Sequence, residues 1–272
     1  MTVLRLCILE NGLVPEPLKE SFVSYPKMIR DWLSPQLPEA EFYTVSVVSG
    51  DSLPEPAAFD GYLLTGSKHS VREEADWMQA EIDFLRRAKE LERPLFGICF
   101  GHQLMADAFG GRTEQAPQGW GLGTQNYVSA GPNVEGAGDV LAFHQDQVKT
   151  SPAQVEVLAG TGHCPNGVFA YPFPALSVQY HPEFTPDYVE ALLNLFGGKL
   201  FEESRAQDAR EGLKKAALAN SEVAAWAARF FRNHGPETNR SRSGSAQVHQ
   251  SEPHNTSWRE NSPKTKNPNE CQ

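Results

Sequence analysis

The sequence predicts an α/β fold: a mostly parallel open sheet covered by helices on both faces, with a small antiparallel extension. Three observations carry this. Short apolar runs alternate with amphipathic helical stretches up to Gly110-Gly111, the pattern of strands joined by crossover helices. Residues 112–180 then hold many Gly and Pro residues and short β-like runs. Helical patterns return over 185–196 and 203–231.

Taken in order, residues 3–9 form a short apolar run that turns at Asn11-Gly12. Residues 18–33 have helical spacing, with Phe22, Tyr25, Ile29, Trp32 and Leu33 mostly three or four apart. Residues 42–48 are rich in β-branched and aromatic side chains, and 61–64 are apolar before the polar turn Thr65-Gly66-Ser67-Lys68. Residues 75–91 predict an amphipathic helix with Trp77, Ile82, Leu85 and Ala88 on its buried face. Residues 94–98 read as a buried strand, and 103–109 as a helix stopped by Gly110-Gly111. The runs 123–129, 140–143, 154–159, 167–171 and 176–180 are expected to make the antiparallel extension and return to the main sheet. Pro186 suits the first turn of the helix over 185–196, and 203–231 predicts one or two further helices.

The 272 residues bound a large single domain or two small ones, and 40% hydrophobic with 21% charged residues describes a globular chain. The domain is expected over 1–232. From Asn233 the composition turns to Asn, Ser, Pro, Arg and Lys, so 233–272 reads as a disordered tail. Its two glycosylation sequons, at Asn239 and Asn255, lack a secretion signal and read as chance. A net charge of −10 argues against nucleic acid and anionic membranes as partners. No stretch is apolar enough to span a bilayer. Cys7, Cys99, Cys164 and Cys271 are scattered, which speaks against a disulfide framework or a structural metal site. A reducing cytoplasm is the expected compartment.

The chemistry centres on Gly97-Ile98-Cys99-Phe100-Gly101-His102-Gln103. A strand running into a helix through G-x-C-x-G has the form of a nucleophile elbow with cysteine in place of serine. The neighbours must be small because strand and helix approach closely, and a helix start favours a thiolate. A cysteine nucleophile wants a base. His181, in Gln179-Tyr180-His181-Pro182-Glu183, ends the run 176–180. If that run is parallel to 94–98, both residues lie at the carboxyl edge of the sheet, where such sheets bind ligands. Glu183 can then accept from the other ring nitrogen and fix the tautomer. Each residue alone has a plainer reading as a buried cysteine, a structural histidine or a surface carboxylate. Together they make the nucleophile, base and orienter of covalent acyl transfer.

These two motifs resemble the class I glutamine amidotransferase family, over roughly residues 3–200, with glutaminase domains of GMP synthase among the similar members. The resemblance implies a flavodoxin-like amidotransferase fold and no cofactor or metal. It implies that Cys99 attacks a γ-glutamyl amide to give a γ-glutamyl thioester, that His181 moves protons, and that Glu183 positions His181. It further implies that Gly66 and Phe100 supply oxyanion N–H groups and that Gln103 lines the glutamine pocket. The oxyanion loop departs from the consecutive glycines of many members. Its Lys68 and His69 either contact an anionic substrate group or are simply solvated.

His144 falls where the family has a histidine near the substrate; a core or surface role fits equally. His102 is expected to be structural, and His163-Cys164 to be non-catalytic. Gly119-Trp120-Gly121-Leu122-Gly123 reads as a turn into a strand with Trp120 near the site. The favoured function is a stand-alone hydrolase of a small γ-glutamyl substrate. The alternatives are a glutaminase subunit giving ammonia to a separate synthetase partner, and an inactive binding module, which the intact Cys99, His181 and Glu183 argue against. A protease or chaperone of the broader fold ranks below these.

Overall fold

The computed structural model describes residues 3–132, 134–214 and 217–235. Nine strands make one sheet. Its parallel half is β1 (Leu4–Leu9), β2 (Ala40–Val45), β3 (Gly61–Leu64), β4 (Leu95–Ile98) and, late in the chain, β11 (Ala175–Val178). Its antiparallel half is β6 (Gly121–Ser129), β7 (Gly138–His144), β9 (Glu156–Gly160) and β10 (Val168–Ala170). The order is β2-β1-β3-β4-β11-β10-β9-β6-β7. The extension therefore grows from the edge of the parallel half through β11, the middle strand of the nine, with β4 beside it. Two short strands, β5 (Arg112–Gln115) and β8 (Asp146–Thr150), pair separately. The sequence reading contained neither, because both are polar and carry little hydrophobic alternation.

Alternation along β1 shows why both faces are covered. Leu4, Leu6 and Ile8 pack with Ile29 and Leu33 of α2 (Tyr25–Leu33) and with Trp226 and Phe231 of α7 (Asn220–His234). Cys7 and Leu9 point the other way. They pack with Phe84 and Leu85 of α3 (Asp76–Glu90) and Leu104 and Met105 of α4 (Phe100–Ala108). Successive residues of the central strands serve opposite cores, so β3 and β4 are buried along their whole length. A third apolar cluster joins α5 (Pro186–Phe196) and α6 (Glu203–Leu213) to Leu122 and Leu141 of the antiparallel half.

The single helix expected over 18–33 is broken. A short α1 (Lys19–Phe22) ends at Val23, whose φ of 61° and ψ of −82° cannot continue a helix. Ser24 is extended, and its Oγ accepts from the Lys27 N–H at 3.3 Å, restarting the chain as α2. Apolar spacing persists across the break because both pieces face the same domain. The stretch 203–231 is two helices, and α7 continues to His234, two residues past the expected domain boundary. The expected tail otherwise lies outside the described residues, as do Cys271 and both sequons. Among the described residues, no helix is long and apolar enough to cross a membrane.

Candidate active site

Strands β4 and β11 are parallel neighbours with Ile98 paired to Val178. Both end at the same edge of the sheet, which places Cys99 beside Gln179 and within reach of His181. The Cys99 N–H donates to the Val178 carbonyl at 2.8 Å, the last rung of the ladder. Cys99 has φ 53° and ψ −101° and caps α4. A side chain in that region is strained by roughly 1–3 kcal/mol, held there by its surroundings. The flanking glycines are steric requirements. A Cβ on Gly97 would lie 2.6 Å from Met105 Sδ and 2.7 Å from the Gly101 carbonyl oxygen, and one on Gly101 would lie 2.6 Å from Leu64 Cβ. Phe100, as the first residue of α4, has an N–H with no intrahelical acceptor.

His181 is buried and its Nδ1 bonds Glu183 Oε1 at 2.8 Å. With Nδ1 occupied, Nε2 is the nitrogen left for chemistry. The ring stacks on Phe184, centroids 3.8 Å apart and planes within 5°. Burial alone pushes the imidazolium down, but the charges and hydrogen bonds of Cys99 and Glu183 outweigh it and lift the pKa to about 10. Gly66 closes over the ring: a Cβ there would lie 2.6 Å from His181 Cε1.

Cys99, His181 and Phe184 line a cavity of about 710 Å³. One side is apolar, from Trp120, Phe143, Leu192, Phe196 and Leu200. Lys19, Lys68 and Arg72 bring cationic side chains to the same cavity, and His69 lines it too. His69 is tied to Glu73 at 2.9 Å, and Arg72 to Asp146 at 3.3 Å. The site thus offers a cysteine sulfur, an imidazole oriented by a carboxylate, and a cavity beside them with room for an acyl group.

A sequence model of the glutamine amidotransferase class-I family matches residues 29–196. The chain belongs to the class-I glutamine amidotransferase family. It is 30% identical over 154 residues to a glutamine amidotransferase-like protein of Schizosaccharomyces pombe, a match covering 54% of this chain and 62% of that one. The chain thus spans just under two thirds of that relative's length. Gamma-glutamyl peptidase 3 of Arabidopsis thaliana is 26% identical over 173 residues, covering 58% of this chain and 68% of that protein. The fold matches the crystal structure of a glutamine amidotransferase from Thermotoga maritima with a TM-score of 0.66 at 18% identity, over 86% of this chain and 98% of that one.

In this amidotransferase, Cys99, His181, Gln103 and His144 all line the one cavity, and Gly66 abuts the His181 ring. His144 is buried against the site, its Nδ1 bonded to the Asp146 carbonyl at 3.2 Å. Burial first, then His163 and His181, lower its pKa to about 3, so it is neutral. Gln103 lines the cavity but is not idle: its Nε2 donates to the Asp146 carbonyl at 2.8 Å and to Gln179 Oε1 at 3.1 Å. Trp120, Lys68 and His69 also reach the cavity. His102 is structural as expected, fully buried between Ser177 Oγ at 2.8 Å and the Asn166 carbonyl at 3.1 Å. His163 and Cys164 are not among the residues lining the cavity.

Sequence reasoning missed Gln179 and Phe184. Gln179 Nε2 points at Cys99 Sγ from 3.6 Å, so an amide from the end of the neighbouring strand faces the sulfur. The register of β4 on β11 would have revealed it, since Gln179 follows the partner of Ile98. Phe184 carries no signal beyond its position after Glu183.

Proposed function

We propose that this amidotransferase hydrolyses a γ-glutamyl amide through a γ-glutamyl thioester on Cys99. The observation that carries this reading is the buried series Cys99, His181 and Glu183, of which Cys99 and His181 line the cavity and Glu183 holds His181 from behind. Cys99 Sγ attacks the γ-carbonyl carbon, and its proton resides on His181. The carbonyl oxygen takes up charge toward the N–H groups of Gly66 and Phe100, an arrangement that stabilises a tetrahedral intermediate by about 3–4 kcal/mol per donor. The C–N bond breaks as His181 gives its proton to the departing amine. Water then adds to the thioester, His181 takes its proton, the C–S bond breaks, and glutamate leaves with Cys99 restored. Glu183 holds Nδ1–H throughout, which keeps Nε2 aimed at the reacting atoms.

The cavity bears on the leaving group. Glutamine would occupy only a fraction of about 710 Å³. The apolar wall of Trp120, Phe143 and Phe196 suits an amine larger than ammonia, such as the remainder of a γ-glutamyl peptide or a γ-glutamyl arylamine. The test is glutamate release from a panel running from glutamine to γ-glutamyl peptides and arylamines. We expect turnover that rises with amine size and vanishes in Cys99→Ala. Unchanged turnover in Cys99→Ala would sink the mechanism. Turnover confined to glutamine and raised only by an added synthetase would overturn the larger amine.

A further inference from the structure

Behind the Gly66 loop lies a buried polar pair that the reaction above does not use. Glu81 of α3, Asn11 and Thr65 are all 0% exposed. Asn11 Nδ2 donates to Glu81 Oε1 at 3.0 Å. The two remaining atoms of the pair, Asn11 Oδ1 and Glu81 Oε2, are both buried with no hydrogen-bond partner. An ionised carboxylate would leave these two acceptors unsatisfied, with one neutral donor for a full charge, and such an arrangement is costly in an apolar interior. Burial accordingly drives the Glu81 carboxyl up to about 8, with the Asn11 hydrogen bond pulling the other way.

We propose that Glu81 is a neutral carboxylic acid in a reciprocal acid–amide pair with Asn11, and that this pair is the positioning element of the loop carrying the Gly66 N–H. Glu81 Oε2–H donates to Asn11 Oδ1 while Asn11 Nδ2–H donates to Glu81 Oε1. The proton supplies the one donor the pair lacks, and neither orphan atom remains.

The pair reaches the site in three steps. The Asn11 backbone N–H donates to Thr65 Oγ1 at 2.8 Å, and the Thr65 hydroxyl donates to the Gly66 carbonyl at 2.9 Å. The Thr65 N–H is held by the Leu9 carbonyl at 3.1 Å, so the chain is anchored on both sides of the Gly66 N–H. Gly12 packs backbone on backbone here: a Cβ would lie 2.6 Å from Ser67 Cα and 2.7 Å from the Gly66 carbonyl oxygen. Gly66 in turn abuts His181. Glu81 touches no reacting atom, so its effect on turnover passes through Asn11 and Thr65. That effect rests on the oxyanion role proposed for Gly66; the protonation of Glu81 does not.

The test uses the full chain, with circular dichroism to confirm folding of each variant. Infrared difference spectra of wild type against Glu81→Gln at neutral pH should show a carboxylic-acid carbonyl band belonging to Glu81. Gln presents one acceptor and one donor to Asn11 without an ionisable proton, so Glu81→Gln should keep kcat within about twofold of wild type. Glu81→Leu strands both polar groups of Asn11 and should lower kcat about tenfold or more, with a smaller change in KM. The exchanged pair, Asn11→Asp with Glu81→Gln, again sets one acid against one amide and should also stay within about twofold of wild type. If Glu81→Leu does not fold, the infrared band and the exchanged pair decide. Absence of the acid band, or a Glu81→Gln variant as impaired as Glu81→Leu, overturns the proposal. A wild type that releases no glutamate from any γ-glutamyl compound defeats the functional reading, while the band still reports on the pair.

Discussion

Gly66 and His181 are in contact, with no room for even one methyl group between them: a Cβ on Gly66 would lie 2.6 Å from His181 Cε1. The only non-glycine residue that fits Gly66 is therefore one that moves either the loop or the imidazole. Gly66→Ala should lower kcat by about 10²-fold or more, the scale of losing one oxyanion donor. Its thermal unfolding should change far less, because the displaced atoms lie beside the cavity. Steady-state kinetics beside a melting curve separates the two.

Glu183→Gln keeps the shape but removes the charge that helps hold the His181 proton. Its kcat should fall by about 10²- to 10⁴-fold, the span associated with general acid–base assistance. The His181 pKa should move down from about 10, measurable by NMR titration of the ring protons. An unmoved pKa would show that Cys99 alone sustains it.

The two buried neutral histidines make the fold sensitive to acid. Burial lowers both His102 and His144 to about 3. In the unfolded chain they bind protons below about 6.5, so between that pH and about 3 the unfolded state carries the extra protons. Stability is complete above that window and falls as pH drops through it, by up to about 1.4 kcal/mol per pH unit for each histidine. Urea melts from pH 7 to pH 4 should show the decline. His102→Gln should shallow its slope, and a parallel slope would count against the assignment.

Trp120 and Phe143 stand edge to face, centroids 5.4 Å apart, on the apolar wall of the cavity. Trp120→Ala should reduce kcat/KM for a γ-glutamyl arylamine about tenfold or more relative to glutamine, since hydrophobic contacts discriminate on that scale. Competition between the two substrates in one reaction measures this ratio directly. An unchanged ratio would place the leaving group elsewhere.

Much of the fold was legible because its elements are locally encoded. Residues 94–98 contain β4 and 75–91 contain α3, because an apolar run and a helical stripe each have one way to bury themselves. The break at Val23 was not legible, since apolar spacing ran straight through it. Nor were β5 and β8, whose polar residues acquire strand structure only by pairing with each other. Glu81 was hidden for a similar reason. On a helical wheel a glutamate belongs to the wet face, and only the packed structure shows it opposite Asn11.

The sequence by itself determined the chemistry-bearing positions. A cysteine between close-packed glycines, and a histidine two residues before a glutamate, are short-range patterns whose geometry is set within one turn or one strand end. The tertiary structure decided what joins them. Placing β11 directly against β4 brings Gln179 to the Cys99 sulfur. Packing the Asn11-Gly12 segment on the Gly66 loop carries a buried carboxyl's influence to within reach of His181. Those relationships depend on strand order and on which backbones touch, and such long-range contacts are set by the burial of the whole sheet rather than by any stretch of it.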